Sequence, residues 1–375
     1  MSSAPPAVGV IFGGPSPEHD VSVLTGLQAA RALLDAGEVG EVHALYWAKS
    51  GEFYAVPATT EATAFEPGPP SGARAIELVV GEESGFVTGR GRLSGKAQRI
   101  GLAAVVVCCH GGPGEDGALQ GALDIAGVAY TGPSATAAAL GMDKLATAGV
   151  LRSGGLPVLD RVLLSEEEKP PPFAPPYIVK PRFGGSSIGI EVVEDHESAL
   201  ALARQSRHLR RGAVAEPYRP ELFDLEIAVR TWPAREFSAI ARPLRTGAGE
   251  ILDYADKYVA GEGMAAAPRE LPAAIDATLA EELRHLARRA AELLSARGVA
   301  RIDFLSDGQA LFVNEINTIP GSLARYLFVE PKLDFARLLR DLVDEAVASP
   351  AARFSAEGAN GLVLRDAQSI AAKLA

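Results

Sequence analysis

Short apolar segments alternate with glycine-rich turns and a helical pattern in the first third of the chain. Residues 8–12 are apolar and end at a Gly-Gly-Pro turn, after which residues 23–34 carry apolar side chains at helical spacing, with Ser22 as the predicted N-cap. Two later apolar segments, Val42–Trp47 and residues 104–109, are typical of strands, and we expect the second to be fully buried. This alternation of strands and helices indicates a parallel α/β domain.

Composition and charge exclude several classes of protein. The 375 residues are enough for two or three domains, and the charged fraction of 22% is ordinary for a globular chain. A formal net charge of −11 argues against binding to nucleic acid or to an anionic membrane. No apolar run approaches the roughly 20 residues that cross a bilayer, and no secretory signal is recognisable. Cys108 and Cys109 are neighbours on one strand and should face opposite ways, so we expect a cytoplasmic protein without a disulfide.

Turn-rich stretches divide the chain into three predicted units, residues 1–132, 133–216 and 217–375. Within the first unit, residues 57–100 are rich in glycine, proline and charge and are interpreted as loops and edge strands. The second and third units carry the patterns of two long helices, a hairpin with a glycine-rich loop, and a pair of strands around Ser-Asp-Gly. These patterns fall at residues 142–154 and about 274–297 for the helices, and at residues 177–180, 188–193, 300–305 and 310–317 for the strands.

The last two strands carry a group of polar side chains at alternate positions. Arg301 and Asp303 share one face of their strand, and Glu315 and Asn317 share one face of the next. A three-residue loop at 306–308 would bring all four to the same face, whereas a two- or four-residue loop would separate them unless a bulge intervened. Carboxylate and amide oxygens suit Mg²⁺ rather than zinc. The alternative interpretation is a solvated polar face.

Two lysines and two strand ends are weaker candidates for ligand contacts. Lys180 precedes the small-residue loop 183–187, whose backbone N–H groups could hold phosphate oxygens, and a plain hairpin loop is the alternative. Lys144 is a second candidate cation for ligand binding, and an ordinary exposed lysine on a helix is the alternative. His110 and Glu18 each follow a predicted parallel strand at its carboxyl end, where ligands bind in open α/β sheets. A structural histidine and a helix-terminal carboxylate are the alternatives there.

Taken together, these segments resemble the D-alanine–D-alanine ligase family of the ATP-grasp superfamily. The matching stretches occur in the family's order over residues 8 to about 335, and they are residues 13–22, 110–121, 142–144, 180–189, Glu226 with its flanks, 253–258, 301–303 and 314–321. The resemblance implies an ATP-grasp architecture, in which an N-terminal parallel α/β domain precedes two α+β subdomains that enclose ATP. It also implies a ligase that activates one amino acid as an acyl phosphate, which the amine of a second then attacks.

The resemblance assigns nucleotide and metal roles to residues at the matching positions. Lys144 and Lys180 resemble the lysines that hold the phosphates, and the loop with Gly185 and Ser187 resembles their cover. Glu216 and Glu226 resemble the acceptors of the adenine amino group and the ribose hydroxyls, and Lys257 lies on a segment that resembles the family's lid. The ligands of two Mg²⁺ ions, with Mn²⁺ as a substitute, would be Asp303, Glu315 and Asn317.

The resemblance also assigns roles in catalysis and in substrate binding. Glu18 resembles the carboxylate that receives the first substrate's ammonium group, with Ser186 and Tyr258 as its partners and His110 beside the amino acid. Arg301 and the backbone N–H of Gly321 resemble the groups that stabilise the intermediate. For the second substrate the candidates are Tyr326 and Leu327. The family further implies a homodimer.

One stretch departs from the family pattern. After Gly321 the family has hydroxyl-bearing residues for the second substrate's carboxylate, and Tyr326 stands where a serine is expected. Two functions therefore remain open, a D-alanine–D-alanine ligase of peptidoglycan synthesis and a related amide ligase with another second substrate. The intact metal and phosphate positions disfavour a non-catalytic nucleotide-binding regulator. The missing GxGxxG spacing disfavours a nicotinamide-dependent dehydrogenase.

Overall fold

The computed structural model describes residues 6–37, 39–81, 84–88, 97–167, 169–244, 268–349 and 355–365. The strands are β1 Val8–Gly13, β2 Val42–Trp47, β3 Phe53–Val56, β4 Arg74–Val79, β5 Gly85–Thr88, β6 Ala104–Val107, β7 Val162–Leu164, β8 Tyr177–Pro181, β9 Glu191–Val193, β10 Ala213–Pro217, β11 Phe223–Arg230, β12 Glu236–Phe237, β13 Arg242–Pro243, β14 Arg269–Glu270, β15 Val299–Ser306 and β16 Leu311–Asn317. The α-helices are α1 His19–Ala36, α2 Gly112–Glu115, α3 Ala118–Ile125, α4 Ala135–Met142, α5 Lys144–Ser153, α6 His196–Gln205, α7 Ala277–Leu293, α8 Phe335–Ala348 and α9 Leu362–Arg365. Short 3₁₀ helices lie at Ala62–Phe65, Arg207–Leu209 and Gly321–Leu327.

The first sheet has the strand order β5-β4-β3-β2-β1-β6. Strand β1 pairs in parallel with β2 and β6, as the strand–helix alternation predicts. The chain then adds β3, β4 and β5 by antiparallel pairing, so the sheet is mixed rather than wholly parallel. Short connections without a crossover helix allow only antiparallel neighbours, and residues 57–100 do supply strands at this side of the sheet.

Helix α1 begins at His19, four residues earlier than the sequence predicts. Glu18 is the N-cap residue, so the prediction that Ser22 caps the helix is wrong. The Ser22 hydroxyl lies within the helix, where it accepts from the Gly13 N–H at 2.7 Å and donates to the Cys108 carbonyl at 2.8 Å. It therefore links the ends of the parallel strands β1 and β6. Cys108 and Cys109 are both buried and form no disulfide, as predicted.

The second sheet has the order β7-β10-β8-β9 and contains the predicted hairpin. Strands β8 and β9 pair antiparallel, with Tyr177 opposite Val193, and the glycine-rich loop connects them. The single helix predicted over 142–154 is divided at Asp143, because its carboxylate accepts from the backbone N–H groups of Leu145 and Ala146 and starts α5. This break places Lys144 at the first position of α5.

The third sheet has the order β12-β11-β15-β16, and α7 packs against it. Helix α7 is shorter than predicted at both ends, since the Asp276 carboxylate caps its start and the helix stops at Leu293. The predicted three-residue loop between β15 and β16 is wrong. Ser306 pairs with Leu311, which leaves four residues in the loop. Asn314 of β16 is an extra residue opposite the step from Asp303 to Phe304, and this bulge shifts the pairing.

The C-terminal helix α8 packs against α1 and β6 rather than only against its own sheet. One hydrophobic core therefore contains Val10 of β1, Val106 of β6, Leu323 and Leu339. This packing brings the carboxyl ends of β1 and β6 next to the end of β16. In the part of the chain that the structure describes, no helix is long and apolar enough to span a membrane.

Candidate active site

A cleft of about 1090 Å³ lies between the second and third sheets. The glycine-rich loop after β8 covers one side, and β11 and β15 form the other. Most of the residues predicted to contact the nucleotide line this cleft, and they are Lys144, Lys180, Gly185, Ser187, Glu216 and Glu226. Arg301, Asp303 and Glu315 line its inner end.

A smaller pocket adjoins the inner end of the cleft. It shares Ser186, Arg301 and Glu315 with the cleft. The other residues in its wall come from the segments that follow β1 and β6 and from the end of β16 and the turn after it. They are Glu18, His110, Glu115, Asn317, Ile319, Pro320 and Gly321. The two cavities therefore meet at the charged ends of β15 and β16.

The predicted metal ligands lie together on one face of β15 and β16. Asp303 is directly opposite Glu315, and Arg301 is opposite Asn317. The four-residue loop would have put Glu315 on the far face, and the bulge at Asn314 restores the shared face. The Asn317 amide donates to the Asp303 carboxylate at 2.9 Å. The prediction that these side chains share one face is therefore confirmed, although the predicted loop length is wrong.

The donor atoms at this corner fit a hard divalent cation. Asp303, Glu315 and Asn317 offer only oxygen ligands, and Mg²⁺ commonly keeps several waters and binds through few carboxylates. Among the described residues, no group of three or more His, Cys, Asp or Glu side chains could hold an ion. The protein side chains at this corner therefore do not complete the coordination of a cation. Oxygens of a bound triphosphate would have to supply the other ligands.

Arg301 joins the two cavities. Its guanidinium makes two hydrogen bonds of 2.7 Å to the Asp303 carboxylate and lies 3.8 Å from a Glu226 oxygen. Burial alone would lower the pKa of this guanidinium, but Asp303 and Glu226 raise it further above its usual range. Arg301 is therefore a permanent cation in the wall shared by both cavities.

The two predicted phosphate lysines occupy the floor of the cleft. Lys144 Nζ donates to the Gly184 carbonyl at 2.5 Å and lies 3.3 Å from Glu315 Oε2. Lys180 Nζ donates to the Glu216 carboxylate at 2.9 Å. Both amines belong to elements fixed by secondary structure, the start of α5 and the end of β8, and both reach the same cavity.

Glu216, the predicted acceptor of the adenine amino group, forms ion pairs with two buried cations. Its carboxylate pairs with Lys180 and also with Arg161, whose Nε is 2.6 Å away. Burial would raise the pKa of this carboxyl group, but the two cations hold it below its usual value. Sequence analysis missed Arg161, although a charged residue directly before the apolar strand β7 was a signal.

Asp224 lines the cleft and was not predicted from the sequence either. It lies two positions before Glu226 on β11, so both carboxylates face the cleft. Asp224 pairs with Leu305, whereas Glu226 pairs with Asp303. Glu226 is therefore at the charged inner end of the cleft, and Asp224 is farther from that end.

The smaller pocket contains a contact between the first sheet and the glycine-rich loop. The Ser186 hydroxyl donates to the Glu18 carboxylate, as the predicted partnership requires. Gly111 allows the carboxylate to approach, because a Cβ there would lie 2.3 Å from Glu18 Oε2 and the residue has a φ of +62°. Tyr258 and Lys257 lie outside the described residues, as does the predicted lid at residues 253–262.

Both ring nitrogens of His110 are hydrogen-bonded, one to the turn that follows β16 and the other to Thr25 of α1. Nδ1 lies 2.8 Å from the Ile319 carbonyl, which can only accept, so Nδ1 carries the proton. Nε2 therefore accepts from the Thr25 hydroxyl at 2.8 Å. The Thr25 oxygen in turn accepts from the Ser322 N–H at 3.2 Å. Burial lowers the pKa of His110 to about 4, so the ring is neutral at physiological pH.

Glu115 holds the same turn from the other side. Its carboxyl oxygens accept from the backbone N–H groups of Ile319 at 3.1 Å and Gly111 at 2.9 Å. Burial first, and the nearby Glu18 second, raise the pKa of Glu115 to about 7. Thr25 and Glu115 were not predicted from the sequence, because neither pattern nor spacing shows which side chains meet a turn two hundred residues away.

The turn leads into the 3₁₀ helix Gly321–Leu327, which departs from ordinary helical geometry. Ser322, Leu323 and Ala324 have φ values of 49°, 50° and 51°, which non-glycine residues rarely adopt. The Leu327 side chain is buried in the core, and its carbonyl accepts from the Ala239 N–H. A Leu327 contact with substrate could thus involve only its backbone.

Tyr326 points toward Arg301. The Arg301 Nη1 donates to the Tyr326 hydroxyl at 3.1 Å, and the Arg269 guanidinium lies 4.1 Å from the centroid of the ring. A serine could not reach either group from this backbone position. The exchange of a small hydroxyl side chain for tyrosine therefore changes the surroundings of the most buried cation in the site.

Two protein-family models match the chain and together cover most of its length. The family model for the D-ala D-ala ligase N-terminus matches residues 7–133, and the model for its C-terminus matches residues 159–344. The chain belongs to the D-alanine–D-alanine ligase family. Members of this family are ATP-dependent ligases that form a peptide bond, and the chain is an enzyme of this kind with the ATP-grasp fold.

Individual relatives agree with the family assignment over nearly the whole chain. A D-alanine–D-alanine ligase of Nocardia farcinica is 31% identical over 376 residues, which cover 91% of this chain and 97% of that protein. The crystal structure of the Helicobacter pylori D-alanine–D-alanine ligase has a TM-score of 0.70 at 26% identity, covering 90% of this chain and 98% of that one. The VanG D-Ala:D-Ser ligase of Enterococcus faecalis shares the fold, with a TM-score of 0.71 at 23% identity, covering 91% and 99% of the two chains.

Proposed function

We propose that this enzyme joins two molecules of D-alanine in peptidoglycan synthesis. A carboxylate oxygen of the first D-alanine attacks the γ-phosphorus of ATP, ADP leaves, and an acyl phosphate forms. The amine of the second D-alanine then attacks the acyl carbon, loses a proton, and inorganic phosphate leaves with both electrons of the broken C–O bond. The observation that carries the proposal is the meeting of a nucleotide-sized cleft and a small polar pocket at Arg301, Asp303 and Glu315.

Phosphoryl transfer requires charge neutralisation and in-line positioning more than covalent help. Lys144 and Lys180 would hold the α- and β-phosphates, under the loop that contains Gly185 and Ser187. Asp303, Glu315 and Asn317 would hold two Mg²⁺ ions, which when bound neutralise the charge of the triphosphate. For the nucleoside, Glu216 and Glu226 are the predicted acceptors, and Asp224 is an additional candidate for the ribose because it lies toward the outer end of the cleft.

The smaller pocket has the groups that an amino-acid substrate needs. The Glu18 carboxylate would receive the ammonium of the first D-alanine, with Ser186 and the predicted Tyr258 as partners. Arg301 would stabilise negative charge on the transferred group, and the Gly321 N–H would donate to the oxyanion of the tetrahedral intermediate. His110 acts through the turn, since both of its nitrogens hold backbone or hydroxyl groups. Water exclusion by a lid at 253–262 would protect the acyl phosphate from hydrolysis.

The wider assignments are part of the same proposal. Residues 1–132 would form the N-terminal domain, 133–216 the central ATP-binding subdomain and 217–375 the catalytic subdomain. The family resemblance supports a homodimer, and the net charge of −11 supports small molecules rather than nucleic acid or membranes as partners. A cytoplasmic location agrees with ATP as the substrate.

A second candidate function is an amide ligase of the same family with a different second substrate. Tyr326 favours it, because it contacts Arg301 where the family has a small hydroxyl side chain. Phosphate release measured with a panel of D- and L-amino acids separates the two functions. Stimulation by D-alanine alone supports the first, whereas D-alanine that works only with another amino acid supports the second. Tyr326→Ser should then change the preference for the second amino acid more than the KM for ATP.

Glu315→Gln tests the proposed metal corner. The substitution keeps the size of the side chain and removes a charged oxygen ligand, so we expect kcat to fall at least about 100-fold while the fold is retained. The measurement is coupled ADP release at saturating D-alanine, with circular dichroism as the check on folding. Glu281→Gln, at an exposed position on α7, is the control and should leave the rate unchanged. A Glu315→Gln enzyme with the wild-type rate would remove this corner from the mechanism.

A further inference from the structure

Arg161 lies behind the wall of the nucleotide cleft. The residue is 7% exposed and does not line the cavity, although its neighbour Leu159 does. Its guanidinium donates to three separate elements. Nε donates to Glu216 Oε1 at 2.6 Å, Nη1 to the Lys144 carbonyl at 2.7 Å, and Nη2 to the Asn314 carbonyl at 3.2 Å.

The contact with Glu216 affects the charge at the floor of the cleft. Lys180 and Arg161 share the one carboxylate, whose side chain is 1% exposed. The three groups together carry one net positive charge. Without Arg161 the carboxylate would neutralise Lys180 alone, and the floor would lose the charge that attracts phosphate oxygens.

The other two contacts affect geometry. The Lys144 carbonyl belongs to the first residue of α5, so Arg161 fixes the point from which the Lys144 side chain reaches the cleft. Asn314 is the additional residue of the bulge that places Glu315 opposite Asp303. A bulge leaves backbone groups outside the regular ladder, and Arg161 satisfies one of them.

We propose that Arg161 is a positioning residue that prepares the cleft for the triphosphate and its metal ions. It acts through Glu216, Lys144 and the Asn314 bulge and does not touch the nucleotide. The inference rests on the proposed function, because it assigns phosphates to Lys144 and Lys180 and a cation to Glu315. It predicts that loss of Arg161 weakens nucleotide and Mg²⁺ binding and leaves the binding of the first amino acid nearly unchanged.

The test compares Arg161→Met and Arg161→Lys with the wild-type enzyme. Binding of a non-hydrolysable ATP analogue with Mg²⁺ is measured by titration calorimetry without amino acids, and KM values for ATP and D-alanine are measured separately. We expect Arg161→Met to weaken analogue binding about 10-fold or more and to raise the half-saturating Mg²⁺ concentration, with the first D-alanine KM within about 3-fold. Arg161→Lys should recover part of the analogue affinity, because it restores the charge, but should still need more Mg²⁺, because it lacks the planar fork.

The control is Arg152→Met. Arg152 is an exposed arginine on α5 that also contacts the 159–160 segment, at 3.2 Å from the Leu159 carbonyl and 3.2 Å from Asp160. The Arg152→Met enzyme should bind the ATP analogue with the affinity of the wild type. Unchanged analogue affinity in both Arg161 variants would overturn the proposal, and so would an equal loss of affinity for nucleotide and amino acid. A wild-type enzyme that bound no analogue would overturn the proposed function itself.

Discussion

His110 and Glu115 hold the same backbone turn, and burial moves their pKa values in opposite directions. The pKa of His110 falls to about 4 and that of Glu115 rises to about 7. Between pH 6.5 and pH 4 an unfolded chain protonates its histidine whereas the folded one does not, so acid reduces this part of the stability. Glu115 acts oppositely, because the folded state keeps its proton up to about pH 7, and acid favours folding there.

The effect of His110→Gln on stability should therefore depend on pH. Glutamine does not titrate, so only the wild type loses stability as the pH falls below 6.5. We expect the stability difference between the two proteins to shrink by about 1–2 kcal/mol between pH 7.5 and pH 5. Urea unfolding at both pH values measures it. A difference that stayed constant, or grew in acid, would contradict a neutral, buried His110.

At the scale of single elements, seven of the sixteen described strands were predicted individually, and most end points were not. The apolar run Val42–Trp47 has the bounds of β2, because strand residues here are uniformly buried or half-buried. Ser22 failed as a cap because its hydroxyl is recruited by strand ends that lie far away in the sequence. The bulge at Asn314 has no signature in the sequence, and so the loop before it was assigned one residue too few.

Helix α1 packs against β1 through a position that only glycine can occupy. A Cβ at Gly26 would lie 2.3 Å from the Phe12 Cβ, which is 0% exposed. Gly26→Ala must therefore push the helix away, and we expect it to cost about 1–3 kcal/mol in the free energy of unfolding. Gly121→Ala on α3 is the matched control, since no atom lies within 4 Å of the added Cβ. The control should be neutral or slightly stabilising. Equal melting temperatures for the two variants would contradict this packing.

At the scale of the whole molecule, the site is assembled from segments that no local pattern connects. The sequence predicted many of the residues that line the two cavities, because glycine turns, lysines and alternating carboxylates have recognisable spacing. It did not show Arg161, Thr25 or Glu115, because their roles arise only from contacts across the fold. It also did not show that α8 packs on the first sheet and so joins the two ends of the chain.

Nucleotide and amino acid should stabilise the molecule through different walls of the site. A ligand at 100 times its Kd adds about 2.7 kcal/mol, or roughly 3–6 °C in Tm for a protein of this size. We expect the Mg²⁺ complex of an ATP analogue to raise Tm in the wild type, and D-alanine to add a further rise. Glu18→Gln should keep the nucleotide shift and lose the D-alanine shift, as measured by differential scanning fluorimetry. A D-alanine shift that persisted in Glu18→Gln would show that Glu18 does not bind the amino acid.

The hydrogen bonds from Thr25, His110 and Glu115 to the turn after β16 have a consequence for the folding of the chain during synthesis. When the first sheet has been synthesised, all three side chains are present, but their partners Ile319 and Ser322 are not. The smaller pocket is therefore complete only after the turn that follows β16 has been synthesised.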